Sequence, residues 1–313
     1  MSIDDDAPAP TEPGVHEDAE AAASAESVQE IYAALAPEAL DSDAATQTRP
    51  VLDDGALAQH HVHVVLVTHD GQRWLSRTLE ALSQVEGLLA DVVAVDTGSR
   101  DSCAEMLESS HAVRRLVELP RETGFPAAVA AGYDQLSADV AADADTNTHT
   151  ADLEHTWLWL LHDDCAPEPH CLRELLTAAV THDAAVVGPK VLDWAGRRRL
   201  VEMGLSITGS GRRYTGLEGR EYDQGQHDDR LDVLGVGTAG MLVRRDAWDA
   251  LGGLDPQVDL FRDDVDFGWR ARRAGYRVVV APHAGGAHAA AASAGRRRPD
   301  ASGKRAAVTD RRN

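Results

Sequence analysis

From residue 62 the chain alternates unbroken apolar runs with amphipathic stretches. Val62 to Val67, in "HVHVVLVTHDG", form a β-branched run of the kind that makes a strand buried on both faces. Trp74, Leu75, Leu79 and Leu82 follow at helix spacing. "ADVVAVDTGSRD" is a second apolar strand, ending at Asp96 in a Gly-Ser turn, with a helix near Ser102–Ser109 behind it. The short "RRLVELP", a helix over Ala127–Leu136, the strand "WLWLL", a helix over Cys171–Thr181 and the strand "AAVVGPKVLD" continue the alternation. This pattern predicts an α/β protein with a doubly wound, mostly parallel sheet flanked by helices. Ligands of such sheets sit at the carboxyl ends of the strands. Past Asp193 the pattern breaks into short strands and loops, then reads helix-turn-helix from Ala247 to Gly275 and closes with the strand "YRVVVAP".

Composition adds boundaries to this picture. The chain has 313 residues, 43% hydrophobic and 26% charged, with a formal charge of -22. Residues 1–60 hold 14 Asp/Glu against one Arg, so residues 1–58 read as a disordered acidic leader with a short helix at Ser27–Leu35. The ordered domain is predicted over 59–293, with 137–154 as an exposed low-complexity insertion and 294–313 as a basic disordered tail. The acidic balance excludes general nucleic-acid binding. Cys103, Cys165 and Cys171 are too few and too irregular for a disulfide framework or a zinc site, and fit a reducing cytoplasm. Neither a signal peptide nor a membrane-spanning run is present in the sequence, so any membrane contact is expected to be peripheral, through the basic tail at the inner face of the plasma membrane.

The candidate chemistry lies at strand ends. "WLWLLHDDCAPEP" drives five apolar residues into His162, Asp163 and Asp164. Burying adjacent carboxylates costs several kcal/mol, roughly, unless a partner compensates. A divalent cation is one such partner and helix capping is the other. Asp70 after "LVTH" and Asp96 after "VVAV" occupy corresponding positions, so three acidic sites line one sheet edge. No Walker lysine motif and no G-x-G-x-x-G follows the first strand, which leaves a metal to neutralise a nucleotide diphosphate. "LFRDDVDFGWRARR" combines Asp263, Asp264 and Asp266 with Arg270, Arg272 and Arg273, an order that also suits a helix dipole, while Phe261, Phe267 and Trp269 gather beside it.

In their order, "VTHDG", "VVAVDTGSRD", "TGFPAAVAAGY", "LLHDDCAPEP", "GTAGMLVRRDAWDALGGLDP", "LFRDDVDFGWRARRAGYRVVVAP" and a closing His resemble the family-two glycosyltransferases of GT-A fold. Within them the chain is most similar to the bacterial rhamnosyl- and galactofuranosyltransferase-like branch. The resemblance spans residues 62 to about 293. It implies an inverting, metal-dependent glycosyltransferase that takes a nucleotide-diphosphate sugar and a glycan or glycolipid acceptor, in cell-envelope polysaccharide or glycolipid synthesis. Thr68, Asp70 and Asp96 are implied to hold base and ribose, and Asp163 to lie near the ribose and diphosphate. Asp164 and His288 are implied to bind the metal, Mg²⁺ or Mn²⁺. Asp264 falls on the catalytic base, and Gly237, Thr238 and Gly240 on the loop that approaches the donor sugar.

Some positions depart from the family pattern. His162 stands where relatives often carry the first of three aspartates, and His283 where an Asp is usual. The polar "YDQGQHDD" reads either as a loop touching donor or acceptor through His227 or Asp228, or as a solvated loop. Two other functions share these features: a sugar-1-phosphate nucleotidyltransferase, which lacks its basic Gly-rich motif here, and a degenerate domain that binds a nucleotide sugar or a partner without turnover.

Overall fold

The structure, a computed structural model, describes residues 51–86, 89–143, 153–258, 262–292 and 294–296. In chain order its elements are α1 (Asp54–Leu57), β1 (His61–Thr68), α2 (Gln72–Ser83), β2 (Leu89–Asp96), α3 (Cys103–Glu108), β3 (Arg115–Glu118) and α4 (Phe125–Asp143). They continue with β4 (Thr156–His162), β5 (Cys165–Pro167), α5 (Cys171–Thr181), β6 (Val186–Asp193), β7 (Leu200–Glu202), β8 (Ser206–Ile207) and β9 (Arg213–Tyr214). The last four are β10 (Leu242–Arg244), α6 (Arg245–Leu251), α7 (Asp263–Arg273) and β11 (Val278–His288). All but a hairpin tip belong to one unit, 49–207 with 213–313. The tip, Thr208–Arg212, closes on itself through Thr208 N–H to Arg212 O (2.8 Å).

The main sheet runs β3-β2-β1-β4-β10-β6-β11-β5, with β7 on β6. β1 pairs in parallel with β2 and β4, and β6 with β11, while β10 enters antiparallel between β4 and β6. The sheet is therefore mixed and mostly parallel. Period-two alternation sorts its side chains. Val64, Leu66, Trp159 and Leu161 pack on one face with Leu75, Leu172 and Leu175 of the helices. Val65, Val67, Leu158 and Leu160 pack on the other with Ala128, Trp248 and Phe267. Both faces are covered, which is why β1 and β4 are unbroken apolar runs.

The structure revises the predicted boundaries in two places. Residues 51–58, read as leader, contain α1, which Asp53 caps through Ala56 N–H (2.8 Å) and which buries Leu57. Tertiary contacts hold this segment: Leu52 N–H donates to Thr177 Oγ1 (3.1 Å), and Arg173 to Leu52 O (2.8 Å). α4 runs past its predicted end at Leu136 to Asp143, inside the predicted insertion. The predicted helix Ser27–Leu35, Phe261 and the tail from 297 lie outside the described residues. In β11 a bulge between Ala281 and Gly285 sends His283 to solvent and returns Ala284 to the core. No helix among the described residues is long and apolar enough to cross a membrane.

α7 meets the segment before β10 without a side chain between them. A Cβ on Gly268 would lie 2.4 Å from Leu234 O and 2.6 Å from Gly235 Cα, both backbone atoms that cannot step aside. Gly268→Ala is expected to destabilise the fold by about 2 kcal/mol, in the range of core overpacking, read as a lower urea midpoint at unchanged slope.

Candidate active site

Strand register brings the predicted residues to one edge. Thr68 pairs with Asp96, and Val67 with His162, so β1, β2 and β4 end level with one another. Asp96 is buried and accepts hydrogen bonds at Oδ1 from Thr68 Oγ1 (2.8 Å) and Ser99 Oγ, and at Oδ2 from Ser99 N–H (2.9 Å). Asp70 adopts a left-handed φ of 48° that turns the chain out of β1. Arg121 grips its carboxylate with both terminal nitrogens, at 3.1 Å to Oδ1 and 2.6 Å to Oδ2, and Arg100 N–H adds a third bond (2.8 Å). Burial opposes ionisation of Asp70, but these bonds and the Arg121 charge outweigh it and hold the carboxyl at about 2. Arg121 sits far from Asp70 in the chain, and no spacing rule points to it.

The adjacent acids that follow the fourth strand serve opposite sides. Both are 1% exposed. Asp163 Oδ2 accepts from His69 N–H (2.9 Å), and its backbone oxygen accepts from Thr78 Oγ1 (2.9 Å). Gly71 comes so close that a Cβ there would lie 2.1 Å from Asp163 Oδ2. Asp163 thus ties β4 to the start of α2. Asp164 faces β11 instead: its Oδ1 accepts from His288 Nε2 (3.1 Å) and its Oδ2 from Ala291 N–H (2.8 Å). Antiparallel pairing of β5 with β11 sets His288 opposite Cys165 and hence beside Asp164.

His162 completes a cluster. Its ring lies 5.5 Å from that of His288, edge to face, and its Nε2 hydrogen bonds with Thr238 Oγ1 (3.0 Å). One ligand atom from each of His162, Asp164 and His288 lies within 4.8 Å of the others, the one such group among the described residues. Two imidazoles and a carboxylate form a donor set that fits a divalent transition ion. The sequence reading includes Asp164 and His288 and omits His162. Its signal is its place at the end of β4, two residues before Asp164 in the same run.

The predicted base lies in the first turn of α7, buried. Asp264 Oδ2 accepts from Arg213 Nε (2.9 Å), and its Oδ1 from Val265 N–H (2.7 Å). Arg213 Nη2 donates in turn to Glu202 Oε2 (2.6 Å), and Glu202 Oε1 accepts from Gly237 N–H. Burial raises the pKa of Asp264, and Arg213 opposes that rise. Asp263 is buried next to it, with no hydrogen-bond partner for Oδ2 among the described residues. Burial, and then the Asp264 charge, push the Asp263 carboxyl up to about 7. Glu202 and Arg213 come from short strands that the sequence pattern does not resolve.

The Gly237–Gly240 segment joins the two halves of the site. A Cβ on Gly237 would lie 2.7 Å from Glu202 Oε1, and one on Gly240, at φ 119°, 2.7 Å from Pro189. The space a side chain would need is filled by the protein's own groups, while Thr238 turns to His162. The polar loop is anchored rather than free: buried Lys190 holds Asp223 (3.1 Å) and Asp228, and His227 bonds Glu221 (2.6 Å).

Comparison with known proteins agrees with this geometry. The N-acetylglucosaminyl-diphospho-decaprenol L-rhamnosyltransferase of Mycobacterium tuberculosis (strain CDC 1551 / Oshkosh) is 27% identical over 243 residues, 74% of this chain and 77% of that protein. Among solved structures, the mannosyltransferase PcManGT from Pyrobaculum calidifontis, in complex with GDP-Man and Mn²⁺, aligns with a TM-score of 0.50 at 15% identity over 87% of this chain and 67% of its own. GalNAc-T7 with UDP, GalNAc and Mn²⁺ aligns with a TM-score of 0.50 at 14% identity over 73% of this chain. This chain covers 44% of the GalNAc-T7 chain, less than half its length. At such identities the likeness is one of fold, and the shared fold is GT-A. The model of the family described as "Glycosyltransferase like family 2" matches residues 59–306, most of the sequence, and the chain belongs to that family as a glycosyltransferase.

Proposed function

We propose that the enzyme transfers a sugar with inversion from a nucleotide-diphosphate donor to an acceptor hydroxyl, in cell-envelope polysaccharide or glycolipid synthesis. The observation that carries this reading is a continuous path: hydrogen bonds join Asp264, Arg213, Glu202 and Gly237, the chain leads on to Thr238, and Thr238 hydrogen bonds with His162. It couples a buried carboxylate to a cluster fit for a cation, the two groups that a single displacement of a diphosphate requires. The nucleotides bound in the structural neighbours, UDP and GDP-Man with Mn²⁺, support the donor class. The mycobacterial relative's lipid-diphosphate-linked acceptor supports a glycolipid acceptor. The basic tail from Arg296 would rest on anionic lipid at the inner face of the membrane.

In this reading Thr68, Asp70 and Asp96 hold the base and ribose, and Asp163 fixes the turn beneath the ribose and diphosphate. Thr238, between Gly237 and Gly240, faces the donor sugar. His162, Asp164 and His288 would hold the divalent ion, and their two imidazoles favour Mn²⁺ over Mg²⁺, which prefers oxygen and water. Such an ion supplies Lewis-acid stabilisation to the departing diphosphate. Asp264 takes the acceptor hydroxyl's proton as that oxygen attacks the anomeric carbon from the face opposite the diphosphate, so the new bond forms as the old one breaks. Arg213 opposes the rise that burial causes in the Asp264 pKa, and Glu202 fixes the guanidinium. Burial and the neighbouring Asp264 charge push Asp263 up to about 7, which weakens the repulsion between the two adjacent acids below that pH.

Asp264→Asn is expected to lower the transfer rate on the order of 10³-fold, as loss of a general base does, while the donor Kd stays within about twofold. An unchanged rate would remove Asp264 from the chemistry. For Asp263 the folded pKa lies above the unfolded one, so the contribution of this group to stability is fully present below 3.8 and is lost as pH rises through about 7. Asp263→Asn is therefore expected to melt higher than wild type at pH 8 and to lose that advantage at pH 4. A pH-independent difference in Tm would contradict this protonation state.

A further inference from the structure

The chain leaving β11 reads "HAAAASAGR", residues 288–296, and consecutive alanines favour a helix over any other local structure. The fold holds them otherwise. Ala290 adopts a left-handed φ of 48°, a costly conformation for an L-residue that alanine, unlike asparagine or aspartate, cannot offset with a side-chain hydrogen bond. Such strain persists only where the surroundings over-determine it, as they do at ligand clamps.

The surroundings of Ala290 converge on Asp164. Ala289 N–H donates to Asp164 O (2.9 Å) and Ala291 N–H to Asp164 Oδ2 (2.8 Å), so the left-handed residue bends the chain around one aspartate. The carbonyls of the turn are taken from its other side: Ala290 O by Ala294 N–H (2.9 Å), Ala291 O by Arg296 N–H (2.8 Å) and Ala289 O by Arg296 Nη2 (2.8 Å). Ala289 and Ala291 are buried with Trp74, and Trp194 packs against the three. Hydrogen bonds and packing thus hold a shape that local propensity opposes.

That shape has a consequence for the cation cluster. A hydrogen bond from an amide to a carboxylate is charge-assisted and directional. With Oδ2 held by Ala291, the buried carboxylate cannot swing, and Oδ1 stays toward His288 Nε2 (3.1 Å), on the side where His162 completes the cluster. Groups that hold a metal ligand from behind change affinity by about 10–100-fold when removed. We infer that the turn after β11 is a positioning element of the cluster: left-handed Ala290 presents the Ala291 N–H that aims Asp164, and so sets the affinity for a divalent ion. This rests on the reading of His162, Asp164 and His288 as the groups that hold the ion, and the test separates the two.

The full chain is titrated with Mn²⁺ alone, and the free ion is followed by electron paramagnetic resonance. Asp164→Asn is expected to abolish binding over the range in which wild type saturates. Ala290→Val, whose β-branched side chain disfavours a left-handed φ, is expected to raise the Kd about tenfold or more, while Ala290→Gly, which adopts that φ freely, stays within about twofold of wild type. The resonance spectrum of the bound ion, which reports ligand geometry, should change in Ala290→Val and match wild type in Ala290→Gly. Arg296→Ala opens the outer clasp from an exposed position and is expected to raise the Kd roughly threefold, and it decides the question if Ala290→Val fails to fold. Wild-type affinity in Ala290→Val and Arg296→Ala, with binding lost in Asp164→Asn, overturns the inference and leaves the cluster standing. An equal loss in Ala290→Gly and Ala290→Val would trace the effect to the packing of a methyl group and also overturn it. Mn²⁺ binding that survives Asp164→Asn removes the ion from the cluster, and this inference falls with that reading.

Discussion

Two adjacent carboxylates buried at the end of one apolar strand set the terms for the active-site edge. Asp163 and Asp164 cannot both be desolvated on the same side without large repulsion, and the fold separates them by direction. Asp163 takes the backbone of His69 and draws in Gly71, which fixes the start of α2. Asp164 takes His288 and Ala291, which fixes the end of β11. The alternatives that the sequence leaves open, backbone satisfaction or a cation, are thus divided between two neighbours. One acid orders the chain, and the other faces the cluster with His162 and His288.

The same economy of charge recurs around Asp264. Two more adjacent acids are buried at the start of α7, and here a single guanidinium, Arg213, serves one of them. The other is pushed up to about 7 by burial and the Asp264 charge. Because Arg213 is itself held by Glu202, and Glu202 by Gly237, the orientation of Asp264 depends on the loop that reaches His162. The two halves of the site are linked through one loop.

The large elements were legible because their signals are local. Val62 to Val67 and Trp157 to Leu161 are continuous apolar runs, and a strand covered on both faces has no other way to be written. β10 was not legible: three residues become a strand only through the neighbours that accept them on either side. α1 was hidden for the same reason, since two leucines in an acidic stretch gain a helix only by docking on α5. At the site, acids at strand ends could be read from position. Arg121, Glu202 and Arg213 could not, because each acts through a partner distant in sequence. His162 fell between these cases, a possible ligand overlooked because it stands where a carboxylate is usual.

The central claim is that a divalent cation binds between His162, Asp164 and His288. Anomalous diffraction at the manganese edge, from crystals grown with Mn²⁺ and a nucleotide diphosphate, tests it most directly. The account expects one strong peak within coordination distance of Asp164 and both imidazoles. A peak held by Asp70 and Asp96 instead, with the cluster unchanged, would contradict it.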